Sequence, residues 1–132
     1  MDKKLDDNLP IYMQIMNRVR ESIAAGELQP GERVPSVREL AVHFEVNPNT
    51  MQRALTELER EGLLVSERTA GRYVTKDESL ISALKKNAAE EAADNFRREM
   101  AALGFTNEEM IAFFCRRCEM NPRNTEVEEQ IG

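Results

Sequence analysis

The residues best suited to chemistry in this chain are a group of polar side chains near its middle. Asn49, Thr50, Gln52, Arg53 and Thr56 lie close together in the sequence. The amides of Asn and Gln can pair with adenine N6 and N7, and Arg can pair with guanine O6 and N7. Each good bidentate pair discriminates between bases by about 1–3 kcal/mol. On the exposed face of a helix, this group would suit sequence readout in the major groove of DNA.

A second group of residues can bind the phosphate backbone. Ser36 and Arg38 lie at the predicted start of a helix, where unpaired N–H groups attract anions, and Arg38 can instead reach a base. Arg68 and Arg72 flank a predicted hairpin turn, from which an Arg can enter the minor groove or contact the backbone. Residues 33–56 have a net charge of only +1. We therefore expect salt-sensitive, site-dependent binding rather than tight general binding.

Cys115 and Cys118 form the other pair whose spacing allows chemistry. Two thiols three residues apart on a helix share one face and could ligate a soft metal or form a redox pair. A structural zinc site needs four ligands, and the chain has only His43 besides, in a different predicted helix. We therefore interpret both cysteines as small buried hydrophobic residues. Because no nucleophile has a nearby base motif, the sequence predicts neither an enzyme nor a cofactor.

Composition restricts the class of protein further. The chain has 132 residues, of which 41% are hydrophobic and 32% charged, and this balance is typical of a globular domain with an extension. Its net charge of −6 argues against nonspecific coating of nucleic acid or of an anionic membrane. No run reaches the roughly 18 apolar residues of a membrane span, and the first residues lack a signal-peptide core. We expect a cytoplasmic protein with no membrane partner.

Periodicity and capping signals predict the elements that position the polar residues. Apolar residues at helical spacing predict a first helix over residues 10–25. Ser36 and Glu39 match a capping box, in which the Ser hydroxyl accepts from the Glu39 amide and the Glu39 carboxylate reaches the Ser36 amide. Asn47 and Pro48 suit the N-cap and the first residue of the next helix. The two helices, separated by about three residues, predict a helix-turn-helix.

Two strands and two more helices are predicted after it. Residues 63–67 and 72–75 form a hairpin, which directly after a helix-turn-helix is a wing. A long helix then ends at Gly104, and a capping box at Thr106 begins a final helix. The apolar faces of these two helices consist of Leu80, Ile81, Leu84, Ala88, Ala92, Phe96, Met100 and Leu103 in the first, and of Met110, Ile111, Phe114, Cys115 and Cys118 in the second.

The predicted fold class is α+β and mostly helical. A winged helix-turn-helix DNA-binding domain occupies residues 9–76, a helical dimerisation tail residues 77–120, and a frayed C-terminus residues 121–132. One recognition helix reads only a few base pairs, so we expect a homodimer on an inverted repeat of double-stranded DNA. Alternatively, the apolar stripe packs on its own winged domain. The predicted dimer contacts are Leu80, Leu84, Ala88, Ala92, Phe96, Met100, Ile111 and Phe114.

Three blocks of the sequence resemble one known family. PIYMQI at residues 10–15, GELQPGERVPSVRELA at 26–41 and VNPNTMQRAL at 46–55 are similar, in order and spacing, to the winged-helix domain of GntR-family bacterial transcription regulators. The resemblance covers residues 9–76. It implies that Arg38, Asn49, Thr50 and Gln52 contact DNA and that Ser36, Asn47 and Arg53 lie near the backbone or base edges.

The wing departs in part from the family pattern. Thr69 stands where a glycine is usual and Arg72 replaces a small hydroxyl residue, whereas Gly71 matches. The residue pattern and the resemblance together predict these DNA-binding residues: Arg33, Ser36, Arg38, Asn47, Asn49, Thr50, Gln52, Arg53, Gly71 and Arg72.

The short tail resembles the YtrA subfamily, as does the NPNT start of the recognition helix at residues 47–50. That resemblance implies dimerisation through the tail and control of genes that often encode ABC-type transporters. We expect a repressor with an unknown small-molecule effector, or else an activator or dual regulator. Two alternatives remain: a metal- or redox-responsive regulator that uses Cys115 and Cys118, and a winged-helix protein-interaction module without DNA binding.

Overall fold

The computed structural model describes residues 8–68 and 70–119, so Thr69 and the C-terminus predicted to fray at 121–132 lie outside the described residues. Within them, the chain forms five helices and two strands. Their bounds are α1 (Ile11–Ala24), α2 (Val37–Phe44), α3 (Pro48–Arg60), β1 (Leu64–Glu67), β2 (Gly71–Val74), α4 (Glu78–Ala102) and α5 (Asn107–Glu119). This order confirms the mostly helical α+β fold with a winged helix-turn-helix. One compact unit ends at Ala88, and a second begins at Ala89.

The first unit is built around α3. The apolar side chains of α3 recur at helical spacing and have no solvent exposure, because α1 and α2 pack against this face. From α1, Ile15 and Val19 meet it, and both are fully buried. The fully buried residues of α3 are Met51, Ala54, Leu55 and Leu58.

The helix-turn-helix forms through the caps that the sequence predicts, with one difference. Ser36 Oγ accepts from the Glu39 amide at 3.1 Å, but the second contact joins the Ser36 hydroxyl, rather than its amide, to Glu39 Oε1 at 3.1 Å. Glu45 ends α2 in a left-handed conformation with φ 57°. Asn47 Oδ1 accepts from the Asn49 amide at 2.8 Å, which begins α3. These contacts fix the turn between α2 and α3.

The wing is an antiparallel hairpin joined by a third segment. In β1 and β2, Leu64 lies opposite Val74, and the hairpin ends where Glu67 faces Gly71. Residues 31–34 pair with the other edge of β2: the Val34 amide donates to the Arg72 carbonyl, and the Val74 amide donates to the Glu32 carbonyl, both at 2.9 Å. The segment before the helix-turn-helix therefore fixes the position of the wing.

The first turns of α4 belong to the winged unit. Leu80, Ile81 and Leu84 are partly buried and pack against its core. The N-terminal part of the apolar stripe therefore packs on its own winged domain, as the alternative interpretation of the sequence predicts.

The second unit consists of the later turns of α4 and α5. The Phe96 and Phe114 rings lie 5.6 Å apart between centroids, and Met100 and Met110 are buried. The predicted capping box at the start of α5 is present, because the Thr106 amide donates to Glu109 Oε1 at 3.0 Å and the Glu109 amide to Thr106 Oγ1 at 3.1 Å.

Two expectations about this unit are wrong. Cys115 was expected to be buried, but it is exposed, and Cys118 is half-exposed. At 100° per residue, Cys115 lies about 140° around α5 from the buried Met110, so it faces away from α4. Leu103 was placed on the stripe of α4, but the helix ends at Ala102 and the Leu103 side chain is 73% exposed.

At the start of α4, the Asp77 carboxylate accepts hydrogen bonds from the residues that follow it. Asp77 Oδ1 accepts from the Ser79 hydroxyl and from the Ser79 and Leu80 amides, and these hydrogen bonds, the Ser79 hydroxyl first, lower the pKa of Asp77 below its ordinary value of 3.8. A carboxylate whose pKa is depressed by folding stabilises the native state above its unfolded pKa, and this stabilisation is lost as the pH falls through the folded pKa.

We therefore expect the stability advantage of the wild type over Asp77→Asn to be full near pH 6 and to shrink steadily below about pH 4. Urea unfolding at a series of pH values measures it. Asp94→Asn, which removes the same charge from an exposed position of α4, is the control. Parallel pH curves for the wild type and Asp77→Asn would contradict the expectation.

Candidate nucleic-acid interface

The exposed face of α3 presents a strip of polar side chains to solvent. Asn49, Gln52, Arg53 and Thr56 are exposed along the helix between its first turn and its ninth residue, and Thr50 is half-buried beside them. Because the opposite face of α3 is fully buried in the core, the strip has a fixed direction. The structure thus groups the residues that the sequence predicted for base readout on one accessible surface.

Two contacts order side chains within the strip. Gln52 Nε2 donates to Thr56 Oγ1 at 3.2 Å, which holds the Gln52 amide along the helix. The guanidinium carbon of Arg53 lies 3.9 Å from the centre of the Tyr12 ring in α1. The predicted base-reading residues are therefore partly pre-arranged before any ligand binds.

The start of α2 forms the second group of predicted contacts. Ser36 and Arg38 are exposed, and the Ser36 hydroxyl is occupied by the capping contacts with Glu39. The positive end of the helix dipole and the Arg38 side chain remain suited to an anion such as a phosphate.

The wing places its arginines in two different environments. Arg72 Nε donates to Glu59 Oε1 of α3, and the Arg72 side chain is only 17% exposed. Ser66 Oγ donates to the same carboxylate oxygen at 3.3 Å. Arg72, predicted to contact DNA, thus ties the wing to α3. Arg68 is exposed at the hairpin turn.

Arg33 and Gly71 lie together at the edge of the wing. The backbone of Arg33 forms an antiparallel β-bridge with Tyr73 of β2. The Arg33 side chain lies beside Gly71, because a Cβ atom added to Gly71 would be 3.5 Å from the Arg33 guanidinium. Gly71 has φ +89°, which favours glycine. Both predicted residues therefore belong to the wing, where the exposed Arg33 supplies a positive charge.

A winged helix-turn-helix that exposes polar and cationic side chains on its second helix defines the class of DNA-binding regulators. The model for "Bacterial regulatory proteins, gntR family" matches residues 11–74. The HTH-type transcriptional regulator YhcF of Bacillus subtilis is 37% identical over 111 residues, which cover 84% of this chain and 92% of that relative. This chain belongs to the GntR family.

Further similarities agree with this assignment. The HTH-type transcriptional repressor YtrA of Bacillus subtilis is 44% identical over 68 residues, 52% of each chain, which supports the resemblance to the YtrA subfamily. A GntR family transcriptional regulator from Listeria monocytogenes has a TM-score of 0.75 at 40% identity and covers 84% of this chain and 97% of its own. AraR(DBD) in complex with operator ORR3 has a TM-score of 0.50 at 29% identity, over 55% of this chain and 87% of its own.

The protein is therefore a DNA-binding transcription regulator and not an enzyme, as the sequence predicted. The comparisons do not favour the metal- or redox-responsive regulator or the protein-interaction module. Within residues 8–68 and 70–119, no three His, Cys, Asp or Glu side chains are grouped to hold a metal ion. No helix in that part of the chain has the length and apolar character of a membrane span.

Sequence reasoning missed two residues of this region. Tyr12, to which the sequence assigned no role, supports Arg53 with its ring. Glu59, to which the sequence assigned no role, accepts from both Ser66 and Arg72 of the wing. Arg72, which departs from the family pattern, is the residue that could have indicated the role of Glu59, because a largely buried Arg needs a carboxylate partner.

The ion pair between Glu59 and Arg72 should be important for stability. We expect Glu59→Ala to lower the free energy of unfolding by about 1–3 kcal/mol, because it leaves the largely buried guanidinium without its partner. The matched control is Glu57→Ala, which breaks the neighbouring pair with the exposed Arg60 and should cost less than about 0.5 kcal/mol. Urea denaturation measures both. Equal costs for the two variants would contradict this role of Glu59.

Proposed function

We propose that this GntR-family regulator is a repressor that acts as a homodimer on an inverted-repeat operator. The observation that supports the proposal most strongly is the polar strip on α3, which the buried face of the helix holds toward solvent. Inserted into the major groove, Asn49 and Gln52 would read base edges, while Arg38 and the start of α2 would bind the backbone. Arg33 and Arg68 of the wing would add backbone or minor-groove contacts.

The repressor assignment is supported by the relatives. YtrA of Bacillus subtilis, which shares 44% of its residues with this chain over the matched region, is named a repressor. A dimer seated on a promoter occupies the surface of DNA that other proteins need, so binding alone is sufficient to repress. This mechanism requires no catalytic group.

An apolar groove supports dimerisation through the second unit. The groove has a volume of about 700 Å³. Ile111 is 62% and Phe114 53% exposed at this groove in the single chain. Full burial of such a side chain from water is worth about 1.5–3 kcal/mol, and covering the part that is still exposed would supply a corresponding fraction of this to a contact. The residues that line it are Ala92, Ala93, Phe96, Arg97, Asn107, Met110, Ile111 and Phe114.

The dimer surface that we propose contains fewer residues than the set of dimer contacts that the sequence predicts. Leu80 and Leu84 pack against the winged core, and Met100 is already buried within the second unit. The second copy would therefore contact Ala92, Phe96, Ile111 and Phe114, which line the groove of the second unit. In a twofold interface, each of these residues meets the same patch of the partner.

We expect operator recognition to depend on Gln52. An operator selected from a random duplex library should bind the wild type at least about 10³-fold more tightly than scrambled DNA. Gln52→Ala should weaken operator binding by about 1–3 kcal/mol and leave scrambled DNA unaffected. Fluorescence anisotropy measures both affinities. Arg60→Ala, at the far end of α3, is the control, and an unchanged specificity ratio in Gln52→Ala would argue against base readout by α3.

Dimerisation should depend on the groove of the second unit. We expect Phe114→Glu in the full chain to shift the protein from dimer to monomer, because the substitution places a charged group in an apolar contact. Size-exclusion chromatography with light scattering measures the mass. Val42→Glu is the control, since Val42 is 74% exposed on α2 and lies outside the proposed surface. A folded Phe114→Glu variant that remains a dimer would rule out this interface.

A further inference from the structure

The stack between Arg53 and Tyr12 joins the recognition helix to the first helix of the domain. The guanidinium carbon of Arg53 lies 3.9 Å from the centre of the Tyr12 ring, which is within the range of a cation–π contact. Tyr12 is half-buried and packs against the hydrophobic core, so its ring is a fixed support. Arg53 itself is exposed. The contact therefore restricts a flexible side chain without removing it from solvent.

Arg53 differs from the arginines near it because no carboxylate holds it. Arg20 is paired with Glu61 at the end of α3, and Arg72 is paired with Glu59. The Arg53 guanidinium forms no hydrogen bond or ion pair with another residue in the described part of the chain. The contact with the Tyr12 ring uses none of the guanidinium N–H groups in a hydrogen bond, so these donors remain available to an external acceptor.

The position of Arg53 on α3 indicates which acceptor it meets. At 100° per residue, Asn49 and Thr56 lie near the middle of the exposed strip, Gln52 lies at one side and Arg53 at the other. The side of Arg53 faces α1, as the contact with Tyr12 shows. The hydrogen bond to Thr56 turns the Gln52 amide toward the middle of the strip, whereas the contact with Tyr12 turns the Arg53 guanidinium outward. When a recognition helix lies in the major groove, side chains turned outward at its flanks meet the sugar-phosphate backbone, and those turned toward its middle meet the bases.

We propose that Tyr12 is a positioning residue for DNA binding, which holds the Arg53 guanidinium in place to donate to a phosphate at the edge of the major groove. The inference rests on the proposed insertion of α3 into DNA. Planar guanidinium groups bind phosphate oxygens through two parallel N–H donors, and this geometry is favoured when the plane is already fixed. Tyr12 contributes by limiting the rotamers that Arg53 must give up on binding.

The salt dependence of binding tests the phosphate contact. The probe is a duplex of mixed sequence, and the protein is the full chain, titrated at several concentrations between about 50 and 200 mM salt. Loss of one phosphate contact reduces the slope of log affinity against log salt by about 0.9. We expect Arg53→Ala to reduce the slope by this amount for each protomer bound, and to weaken operator and scrambled DNA by the same factor.

The role of Tyr12 is tested by paired substitutions. Tyr12→Leu removes the ring and should weaken binding about two- to fivefold, the fold-change that corresponds to an exposed cation–π contact. Tyr12→Phe keeps the ring and should bind like the wild type. In the Arg53→Ala background, Tyr12→Leu should have no further effect. The Arg53 Nε–H signal in an NMR spectrum, shifted by the ring in the wild type and in Tyr12→Phe, should move in Tyr12→Leu.

Each contrary result has a separate meaning. If Tyr12→Leu weakens binding equally with and without Arg53, the ring acts only on the fold and the inference is overturned. An unchanged salt slope in Arg53→Ala also overturns it, as does a loss of specificity without a change in slope, which would make Arg53 a base-reading residue. Failure of the wild type to prefer its selected operator would instead refute the proposed function. Thermal unfolding of Tyr12→Leu and of Tyr12→Phe confirms that the comparison is made on folded proteins.

Discussion

Burial of one face of α3 determines where every DNA-directed side chain of this protein points. Met51, Leu55 and Leu58 are fully buried against α1 and α2, and each contributes about 1.5–3 kcal/mol through removal from water. That sum is comparable with the whole stability of a small domain, so α3 cannot rotate without unfolding its unit. Because α3 cannot rotate, the polar residues on its other face keep a fixed direction toward solvent. Readout of bases in this protein therefore depends on hydrophobic packing that never touches DNA.

Charge along α3 is divided between its two ends. The first half exposes uncharged amides and Arg53, whereas Glu57, Glu59 and Glu61 follow at the second half and its cap. Arginines of α1, α3 and the wing pair with these carboxylates. Because these pairs neutralise the carboxylates, the charge that remains to attract a phosphate backbone is that of Arg53 in the first half of the helix. A chain with a net charge of −6 can thus bind DNA at a restricted surface.

The sequence predicted what local patterns encode. Apolar spacing and caps such as Asn47 placed the helices correctly, because these signals involve residues a few positions apart. Periodicity also showed that Leu84 belongs to an apolar face, but it did not show that this face covers the winged core. The contacts of Arg72 with Glu59 and of Tyr12 with Arg53 join distant parts of the chain, where no spacing rule applies.

The pairing of residues 31–34 with β2 has a consequence for how the chain folds. The β1–β2 hairpin closes a short loop, but the hydrogen bonds that join Val34 to Arg72 and Val74 to Glu32 enclose the entire helix-turn-helix. Such a closure costs more chain entropy than the local hairpin does, and nonlocal contacts of this kind slow folding. The helix-turn-helix can collapse first, through its neighbouring contacts. The wing becomes attached to residues 31–34 only when the chain has returned past α2 and α3 to β2. The wing side of the DNA-binding surface is therefore completed after the helix-turn-helix side.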